Sequence, residues 1–231
     1  KIFFYLMFEV VLDTETTGLS ILEKHRIVEI GCIELNNQIP TKKVFHEYIN
    51  PQRAVSKDAY KIHGYSDEFL SDKKTFKEIA ENFLNFIDGK KIIIHNASFD
   101  LSFLNYELKL AKLKIIETQN IIDTLELARQ KYPGAQNSLD ALCKRFNIDN
   151  SKRDKHSALT DCKLLKEVYI NLLDQKEPQL DLKQNKFFNE KSENQIIKIS
   201  KNSRKIIKPN AEELETHKNY LKNSLQKNFF N

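Results

Sequence analysis

Hydrophobic residues along most of the chain fall into two spacings, one typical of strands and one typical of helices. Residues 8–13, 27–36 and 44–49 are short runs rich in β-branched and aromatic residues, which favours strands. A short polar connector between the second and third runs indicates a meander. The continuous apolar run Ile92-Ile93-Ile94 predicts a central strand that is buried on both faces.

Helical spacing marks the segments between and after these strands. Thr75 and Glu78 have the spacing of a capping box ahead of an amphipathic helix, and Gly89 follows its predicted end. The same analysis predicts helical segments at 98–113, after the apolar pair 121–122 as far as 128, at 138–146 and at 157–173. Three strands followed by alternating helices and strands predict an α/β fold in which helices cover a mixed sheet.

The composition changes after residue 173. Residues 174–208 are rich in Lys and Asn and contain no glycine, so we expect a flexible linker there. A helix is predicted within residues 209–231, with Asn210 as its cap and Glu213 three residues later. Its apolar stripe is narrow, which predicts that a partner protein completes it.

These boundaries predict a folded domain over residues 1–173, a linker over residues 174–208 and a docking helix within residues 209–231. Met7 is the only methionine, and residues 1–6 are interpreted as an extension upstream of a natural start. No run of about eighteen apolar residues occurs, so we expect no membrane span. The apolar beginning lacks the cleavage site of a signal peptide.

Charge and cysteine content indicate how the chain would contact nucleic acid and which cellular compartment suits it. The net charge is +5, and the whole excess lies in residues 181–231, so that residues 1–180 are formally neutral. Nucleic acid would therefore meet the folded domain through local geometry and metal ions, not through a broad basic field. Cys32, Cys143 and Cys162 lie in apolar patterns, which predicts buried free thiols in a reducing, cytoplasmic compartment.

Two carboxylates end the first predicted strand, in the segment Val11-Leu12-Asp13-Thr14-Glu15. Strand side chains alternate between the two faces, so we expect Asp13 and Glu15 on the same face. Two like charges this close raise each other's pKa unless a cation lies between them, which predicts a divalent metal site. For this pair alone, the alternative is an exposed strand end whose acids are solvated.

Two further acids and a histidine favour the metal site. Asp100 shares a helical face with Phe103 and Leu104, and Asp161 lies at the edge of an apolar helical stripe. Both carboxylates are therefore predicted to point inward, where each requires a cation, a hydrogen-bonding partner or a shifted pKa. A structural salt bridge stays the alternative for either acid alone. His156 can face the same site if it lies on the loop before that helix, where an imidazole suits a general base.

Together these residues resemble the DEDDh class of 3′-5′ exonucleases, which has the ribonuclease H-like fold. The signature is Asp13-x-Glu15, then Asp100, then His156 with Asp161 five residues later. Within that class, residues 8–173 are similar to the proofreading subunits of bacterial replicative DNA polymerases. The similar stretches are 11–18, 62–64, 67–70, 94–100, 137–143 and 148–153. The resemblance implies a sheet with three antiparallel strands followed by parallel strands.

The resemblance also implies a catalytic role for each residue of the signature. Asp13, Glu15, Asp100 and Asp161 would hold two divalent cations, Mg²⁺ or Mn²⁺, since hard cations take carboxylate oxygens. Such ions activate the attacking water and stabilise the departing 3′ oxygen. His156 would accept the proton of that water.

Contacts with the 3′ end of DNA follow from the same resemblance. Asp13, Glu15 and Asp161 would also contact the substrate. Asp58 and His63 match positions that the family uses near the terminal nucleotide, although the acid at 58 is one methylene shorter than the family's residue. The remaining positions expected to approach the substrate are Thr16, Thr17 and Asn96.

The implied function is the removal of mispaired 3′-terminal nucleotides as the proofreading subunit of a replicative DNA polymerase. A frayed or single-stranded end can enter the site, whereas a paired end must first melt. The tail would attach to the polymerase alpha subunit. Gln179-Leu180-Asp181-Leu182 looks like a sliding-clamp-binding peptide, although Lys183 stands where an aromatic residue normally ends it. The alternatives are that the basic tail contacts DNA directly or that it only keeps the protein soluble.

Two other functions stay open at this point. An RNA-trimming 3′-5′ exoribonuclease would keep every catalytic residue, but the stretches similar to the proofreading subunits and the long tail argue against it. A non-catalytic scaffold that only binds the polymerase would be expected to lack a ligand or the general base. None of the five signature residues is missing.

Overall fold

The computed structural model describes residues 8–151, 155–173 and 209–223. The strands are β1 (Phe8–Thr16), β2 (Ile27–Asn36), β3 (Ile39–Tyr48), β4 (Lys91–Ile94) and β5 (Ile121–Asp123). The helices are α1 (Lys57–His63), α2 (Asp67–Ser71), α3 (Phe76–Ile87), α4 (Ala97–Leu110), α5 (Thr124–Lys131), α6 (Leu139–Arg145), α7 (Ala158–Leu172) and α8 (Ala211–Asn223).

The strands form one mixed sheet in the order β3-β2-β1-β4-β5. β1 pairs antiparallel with β2, and β2 with β3, whereas β4 runs parallel to β1 and β5 runs parallel to β4. The predicted mixed sheet, antiparallel first and parallel afterwards, is confirmed. Because β1 is central, its C-terminal end lies beside the end of β4, the edge at which α/β sheets bind ligands.

The sheet separates two apolar cores, because successive side chains of β1 point to opposite faces. Val10 packs with α3 and α4 on one face, where Phe83 is fully buried. Val11 packs with α6 and α7 on the other face, where Leu165 is fully buried. Residues 92–94 of β4 contribute to both cores, which confirms the predicted central strand. The three cysteines are buried free thiols, as predicted.

Gly31 of β2 lies directly under the first turn of α7. A Cβ atom at this position would lie 2.6 Å from the carbonyl carbon of Ala158 and 2.6 Å from the amide nitrogen of Leu159. Real Cβ atoms do not approach backbone atoms so closely, so the position requires glycine. The Cys162 thiol also contacts the Gly31 carbonyl oxygen over 3.1 Å. The start of α7 therefore packs on the backbone of β2.

The structure adds two short helices that the hydrophobic spacing did not predict. α1 begins after Ser56, whose hydroxyl accepts a hydrogen bond from the Ala59 amide over 3.2 Å. α2 begins after Ser66, whose hydroxyl accepts from the Phe69 amide over 3.1 Å. Strand β3 starts at residue 39 rather than at 44, because its pairing with β2 continues to the hairpin turn. Residues 121–123 form strand β5 ahead of the predicted helical stretch.

Helix α8 begins with a cap in which two residues bind each other. The Asn210 amide donates to the Glu213 carboxylate over 2.9 Å, and the Glu213 amide donates to Asn210 Oδ1 over 2.8 Å. This reciprocal cap confirms the predicted start of the helix. The predicted extension (1–6), linker (174–208) and clamp-like segment (179–182) lie outside the described residues. Within the described ranges, no helix combines the length and apolar content that crossing a bilayer requires.

Candidate active site

The four acids predicted as metal ligands come together at the C-terminal end of β1. Asp13 and Glu15 are alternate residues of one strand and therefore share a face, as predicted. Burial raises the pKa of Asp13 well above its usual value. Nearby carboxylates raise it further, and they belong to Asp100, Asp161, Glu15 and Glu29. An electrostatic effect of all three other predicted ligands on Asp13 requires that they lie close to it.

Asp100 lies in the first turn of α4 and is buried, as predicted. Thr14, which separates the two acids of β1, donates its hydroxyl to Asp100 Oδ1 over 2.7 Å and its amide to the same oxygen over 3.1 Å. Burial raises the pKa of Asp100 to about 7, although the hydrogen bonds from Thr14 act in the opposite direction. The carboxylate is thus oriented by β1 at the face of the sheet opposite to α7.

Glu15, Asp161 and His156 offer ligand atoms that all lie within 4.8 Å of one another. His156 Nδ1 is 3.4 Å from Asp161 Oδ2, and the histidine lies on the loop before α7, as predicted. The His156 amide donates to the Ile62 carbonyl over 3.1 Å, which anchors the loop. The imidazole is 44% exposed, whereas the Asp161 side chain is 5% exposed. His156 therefore combines a fixed backbone with access to solvent, which a general base for water requires.

This donor set fits divalent cations. Carboxylate oxygens are the preferred ligands of hard cations such as Mg²⁺ and Mn²⁺. Burial raises the pKa of Asp13 and Asp100 and so opposes negative charge on both carboxylates, and neighbouring carboxylates raise the pKa of Asp13 further. Cations bound by these oxygens would offset that charge and favour the ionised forms. Asp13, Glu15, Asp100 and Asp161 are the residues that would hold them.

A cavity of about 390 Å³ adjoins the carboxylates. This volume falls within the range of about 300–1,000 Å³ that is usual for ligand sites. The wall of the cavity includes Glu15, Thr16 and the buried His63. Asp58 also lines it, but its side chain is 89% exposed and its carboxylate pairs with Lys61 Nζ over 3.0 Å. Of the two residues expected near the terminal nucleotide, His63 thus lies in the wall of the cavity and Asp58 lies at its rim.

Other predicted substrate contacts make hydrogen bonds within the protein. The Thr16 hydroxyl donates to the Gly18 carbonyl over 2.7 Å, and Thr17 is fully buried. The Thr17 hydroxyl accepts from the Arg26 amide over 3.0 Å and is hydrogen-bonded to His25 Nδ1 over 2.9 Å. These contacts favour a role for Thr17 in holding the turn after β1, rather than contact with substrate.

Asn96 precedes α4 in a left-handed conformation, with a φ of 66°. Its side chain is exposed, so a contact with substrate stays a prediction. Asp123 holds this turn, because its carboxylate accepts from the amides of Asn96 and Ala97 over 3.0 and 2.9 Å. Sequence reasoning did not identify Asp123. Its only local signal was an acid directly before a helical stretch, which is typical of a helix cap.

Glu29 is the second residue that sequence reasoning missed. It is fully buried on β2 and lies opposite Glu15 in the strand register. The available signal was an acid inside the apolar run Ile27-Val28-Glu29-Ile30, since acids are rarely buried unless they are paired. That signal indicates burial, but it identifies no partner.

Comparisons with known proteins agree with this geometry. A family model described as an exonuclease (RNase_T) matches residues 10–169. DNA polymerase III subunit epsilon of Rickettsia felis is 48% identical over 94% of this chain and 97% of its own length. The subunit of the same name from Escherichia coli K12 is 47% identical over 70% of each chain.

Solved structures show the same fold. The nuclease domain of 3′hExo, a DEDDh family member bound to rAMP, aligns with a TM-score of 0.64 at 19% identity, over 75% of this chain and 94% of that one. Exonuclease X in complex with 5′ overhanging duplex DNA aligns with a TM-score of 0.57 at 25% identity, over 73% of this chain and 92% of that one. The expected ribonuclease H-like fold is confirmed.

The family model covers most of the domain that contains the site, and the Rickettsia relative spans nearly the whole chain. Exonucleases of this family depend on divalent metal ions, in agreement with the donor set at the end of β1. The chain therefore belongs to the exonuclease family and, within it, to the epsilon subunits of DNA polymerase III.

Proposed function

We propose that this protein is a 3′-5′ exodeoxyribonuclease that removes mispaired 3′-terminal nucleotides as the proofreading subunit of the replicative DNA polymerase. The observation that carries the proposal is the convergence at the end of β1 of Asp13, Glu15, Asp100, Asp161 and His156. The name shared by the relatives, a subunit of DNA polymerase III, supports the replicative assignment.

The carboxylates at the end of β1 are proposed to hold two divalent cations, Mg²⁺ or Mn²⁺. When bound, such ions supply Lewis acidity that activates water and stabilises charge on the scissile phosphate. Other residues of the chain position these groups. Thr14 orients the Asp100 carboxylate, and the Ile62 carbonyl holds the backbone of the loop that carries His156.

His156 is the proposed proton acceptor for the attacking water. Its exposed imidazole can reach solvent, and its Nδ1 lies 3.4 Å from the Asp161 carboxylate. That carboxylate stabilises the imidazolium which forms when the water gives up its proton. The proton then leaves to solvent from the exposed ring.

Selection of mispaired ends requires no base-specific contact. The cavity beside the carboxylates can accept a terminal nucleotide, and His63 and Thr16 lie in its wall. A single-stranded end reaches this cavity directly, whereas a correctly paired end must first unstack and separate. Asp58 at the rim and the substrate-facing sides of Asp13, Glu15 and Asp161 are proposed to contact the same nucleotide.

The part of the chain after residue 173 is proposed to bind partners. Helix α8 presents Leu214 and Tyr220 to solvent, which suits docking against the polymerase alpha subunit. Residues 179–182 are proposed to contact the sliding clamp. We place the reaction in the cytoplasm, because the three free cysteines suit a reducing compartment and the DNA would be found there.

The decisive experiment compares metal-dependent release of 3′ nucleotides from single-stranded DNA and single-stranded RNA of matched sequence. We expect faster release from DNA, and faster release from a mispaired duplex end than from a paired one. A strong preference for RNA would favour the exoribonuclease alternative and contradict the replicative assignment. Absence of nucleotide release with intact polymerase binding would favour the non-catalytic scaffold.

Variants make the test specific for the proposed site. Asp13→Ala should abolish nucleotide release, and His156→Ala should lower kcat by about 10²–10⁴-fold, the usual contribution of a general base. Asp88→Ala removes an exposed acid at the end of α3 and serves as the control, with unchanged kcat expected. Equal losses in Asp13→Ala and Asp88→Ala would contradict the assignment of the metal ligands.

A further inference from the structure

One buried carboxylate beside the proposed site connects separate segments of the fold. Glu29 is fully buried on β2, and its two oxygens accept four hydrogen bonds. The donors are His46 Nε2 on β3 at 2.7 Å, the Tyr65 hydroxyl between α1 and α2 at 2.8 Å, the Ser157 hydroxyl at 3.0 Å and the Ala158 amide at 2.8 Å. A buried acid with this many donors is held as a carboxylate.

Two of these four donors belong to the start of α7. Ser157 is the residue that precedes the helix, and its hydroxyl makes no capping bond to the amides of the first turn. Glu29 takes that role from another strand, because it accepts from the Ala158 amide at the positive end of the helix. The bonds from Ser157 and Ala158 to Glu29 anchor the start of α7, with His156 immediately before them and Asp161 one turn after them. This anchor therefore fixes the backbone positions from which the side chains of His156 and Asp161 extend.

A third donor connects Glu29 with the wall of the cavity. The Tyr65 ring stacks on the His63 ring, with centroids 4.8 Å apart and an interplanar angle of 25°. The hydroxyl at the other end of Tyr65 binds Glu29. The Tyr65 ring that packs against His63 is thus positioned by Glu29, the same carboxylate that binds the start of α7.

We infer that Glu29 is a positioning residue of the nuclease site, which sets the distance between the cavity wall at His63 and the His156–Asp161 pair. It acts through Tyr65 and through the start of α7. The inference rests on the proposed function, which assigns His63 to substrate binding, His156 to the role of general base and Asp161 to metal binding. It adds a residue outside the five-residue signature and gives a physical reason for an acid inside an apolar strand.

The test compares Glu29→Gln with Glu34→Gln. Both residues are buried carboxylates of β2, but Glu34 binds Lys90 Nζ over 2.6 Å and Thr41 over 3.0 Å, in the part of β2 that pairs with the beginning of β1. In Glu29→Gln the amide oxygen can still accept from the Ala158 amide, while the new NH₂ group faces Ser157 and His46. The variant is therefore expected to fold with a loosened anchor.

On a short single-stranded DNA, Glu29→Gln should lower kcat about 10–100-fold, the range found when a group that orients a metal ligand is replaced. KM should change less than kcat, because the cavity itself stays open. Mn²⁺ binding, followed by calorimetry without DNA, should weaken in Glu29→Gln and stay unchanged in Glu34→Gln. Both variants should lower Tm, which shows that loss of a buried carboxylate by itself does not produce the kinetic effect.

Unchanged kcat and Mn²⁺ affinity in folded Glu29→Gln would overturn the inference, and so would equal losses in the two variants. If Glu29→Gln does not fold, Tyr65→Phe and Ser157→Ala decide, because each removes one hydrogen bond and keeps the carboxylate. Lower kcat in both supports the inference, and wild-type kcat in both overturns it. Failure of the wild-type protein to release nucleotides from DNA would overturn the proposed function, whereas the Mn²⁺ affinities would still decide the role of Glu29.

Discussion

Thr14 donates both its hydroxyl and its amide to one carboxylate oxygen of Asp100, over 2.7 and 3.1 Å. The two residues come from β1 and from the first turn of α4. Because Thr14 lies between Asp13 and Glu15, its side chain leaves the strand on the opposite face. A single strand thus supplies two acids on one side and orients a third on the other side.

Removal of the Thr14 hydroxyl should weaken metal binding. Thr14→Val keeps the shape but loses a hydrogen bond to a charged acceptor, which is typically worth about 1.5–3 kcal/mol. Because that bond lowers the pKa of Asp100, its loss raises the pKa above the present value of about 7. Mn²⁺ affinity should therefore fall, and it should fall more below pH 7 than above it. Calorimetric titration at both pH values measures this.

Thr124→Val is the matched control for Thr14→Val. Thr124 is fully buried, and its hydroxyl donates to the Ile94 carbonyl over 3.2 Å and is hydrogen-bonded to His95 Nδ1 over 2.9 Å, so that these bonds involve none of the four acids. We expect a loss of thermal stability with unchanged Mn²⁺ affinity. Equal Mn²⁺ affinities in Thr14→Val and the wild type would show that the hydrogen bond does not orient the ligand.

Metal-free protein should become less stable as the pH rises toward neutrality. The pKa of Asp100 is about 7 in the folded state, whereas an aspartate in an unfolded chain has a pKa of about 3.9. Between these values the folded state binds more protons, so the free energy of unfolding falls with rising pH. Burial raises the pKa of Asp13 in the same direction. Thermal unfolding in the presence of a chelator measures the effect, and added Mg²⁺ should restore more stability at high pH than at low pH.

Asp100→Asn isolates the contribution of one acid to this pH dependence. The variant cannot titrate at position 100, so its Tm in chelator should fall less steeply with rising pH than the Tm of the wild type. A slope as steep as in the wild type would assign the effect to other groups.

The buried ion pair between Arg26 and Glu107 should stabilise the turn below the site. Arg26 Nε and one terminal nitrogen each donate to a different oxygen of Glu107 over 2.6 Å. Glu107→Ala leaves a partly buried guanidinium without its partner, which should lower the free energy of unfolding by about 2–4 kcal/mol. Urea unfolding measures this change. Glu117→Ala removes an exposed partner of Lys114 and should leave the midpoint unchanged.

Helix α8 should be required for polymerase binding and dispensable for nucleotide release. Leu214→Glu places a charge on an exposed apolar residue of this helix and should weaken capture by the polymerase alpha subunit, with kcat on single-stranded DNA unchanged. Thr216→Ala lies on the other side of the helix and should bind as the wild type does. Polymerase binding that survives removal of residues 209–231 would assign the docking role to another part of the chain.

Long elements with a regular spacing could be predicted from the sequence. α3 and α7 each have enough apolar residues to show a helical spacing, and the structure has both where they were expected. Helices α1 and α2 have seven and five residues, which is too short for a helical period to appear. Their serine caps and their contacts with the rest of the fold define them.

Only part of the candidate site could be predicted from the sequence, because some of its contacts join residues that are far apart along the chain. The alternation in β1 places Asp13 and Glu15 on one face, but the approach of Asp100 and Asp161 depends on how α4 and α7 pack. The resemblance to a known family supplied that information. The partners of Glu29 lie between 17 and 129 residues away along the chain, so no local pattern could show them.

The absence of a side chain at Gly31 decides how closely α7 can rest on the sheet, because even a methyl group would meet the backbone of Ala158. Substitution by alanine would lift the beginning of α7 and carry Asp161 away from Asp13. The position of the Asp161 carboxylate thus depends on a residue that has no reactive side chain. A substitution at Gly31 would alter the reaction although every group that takes part in it is unchanged.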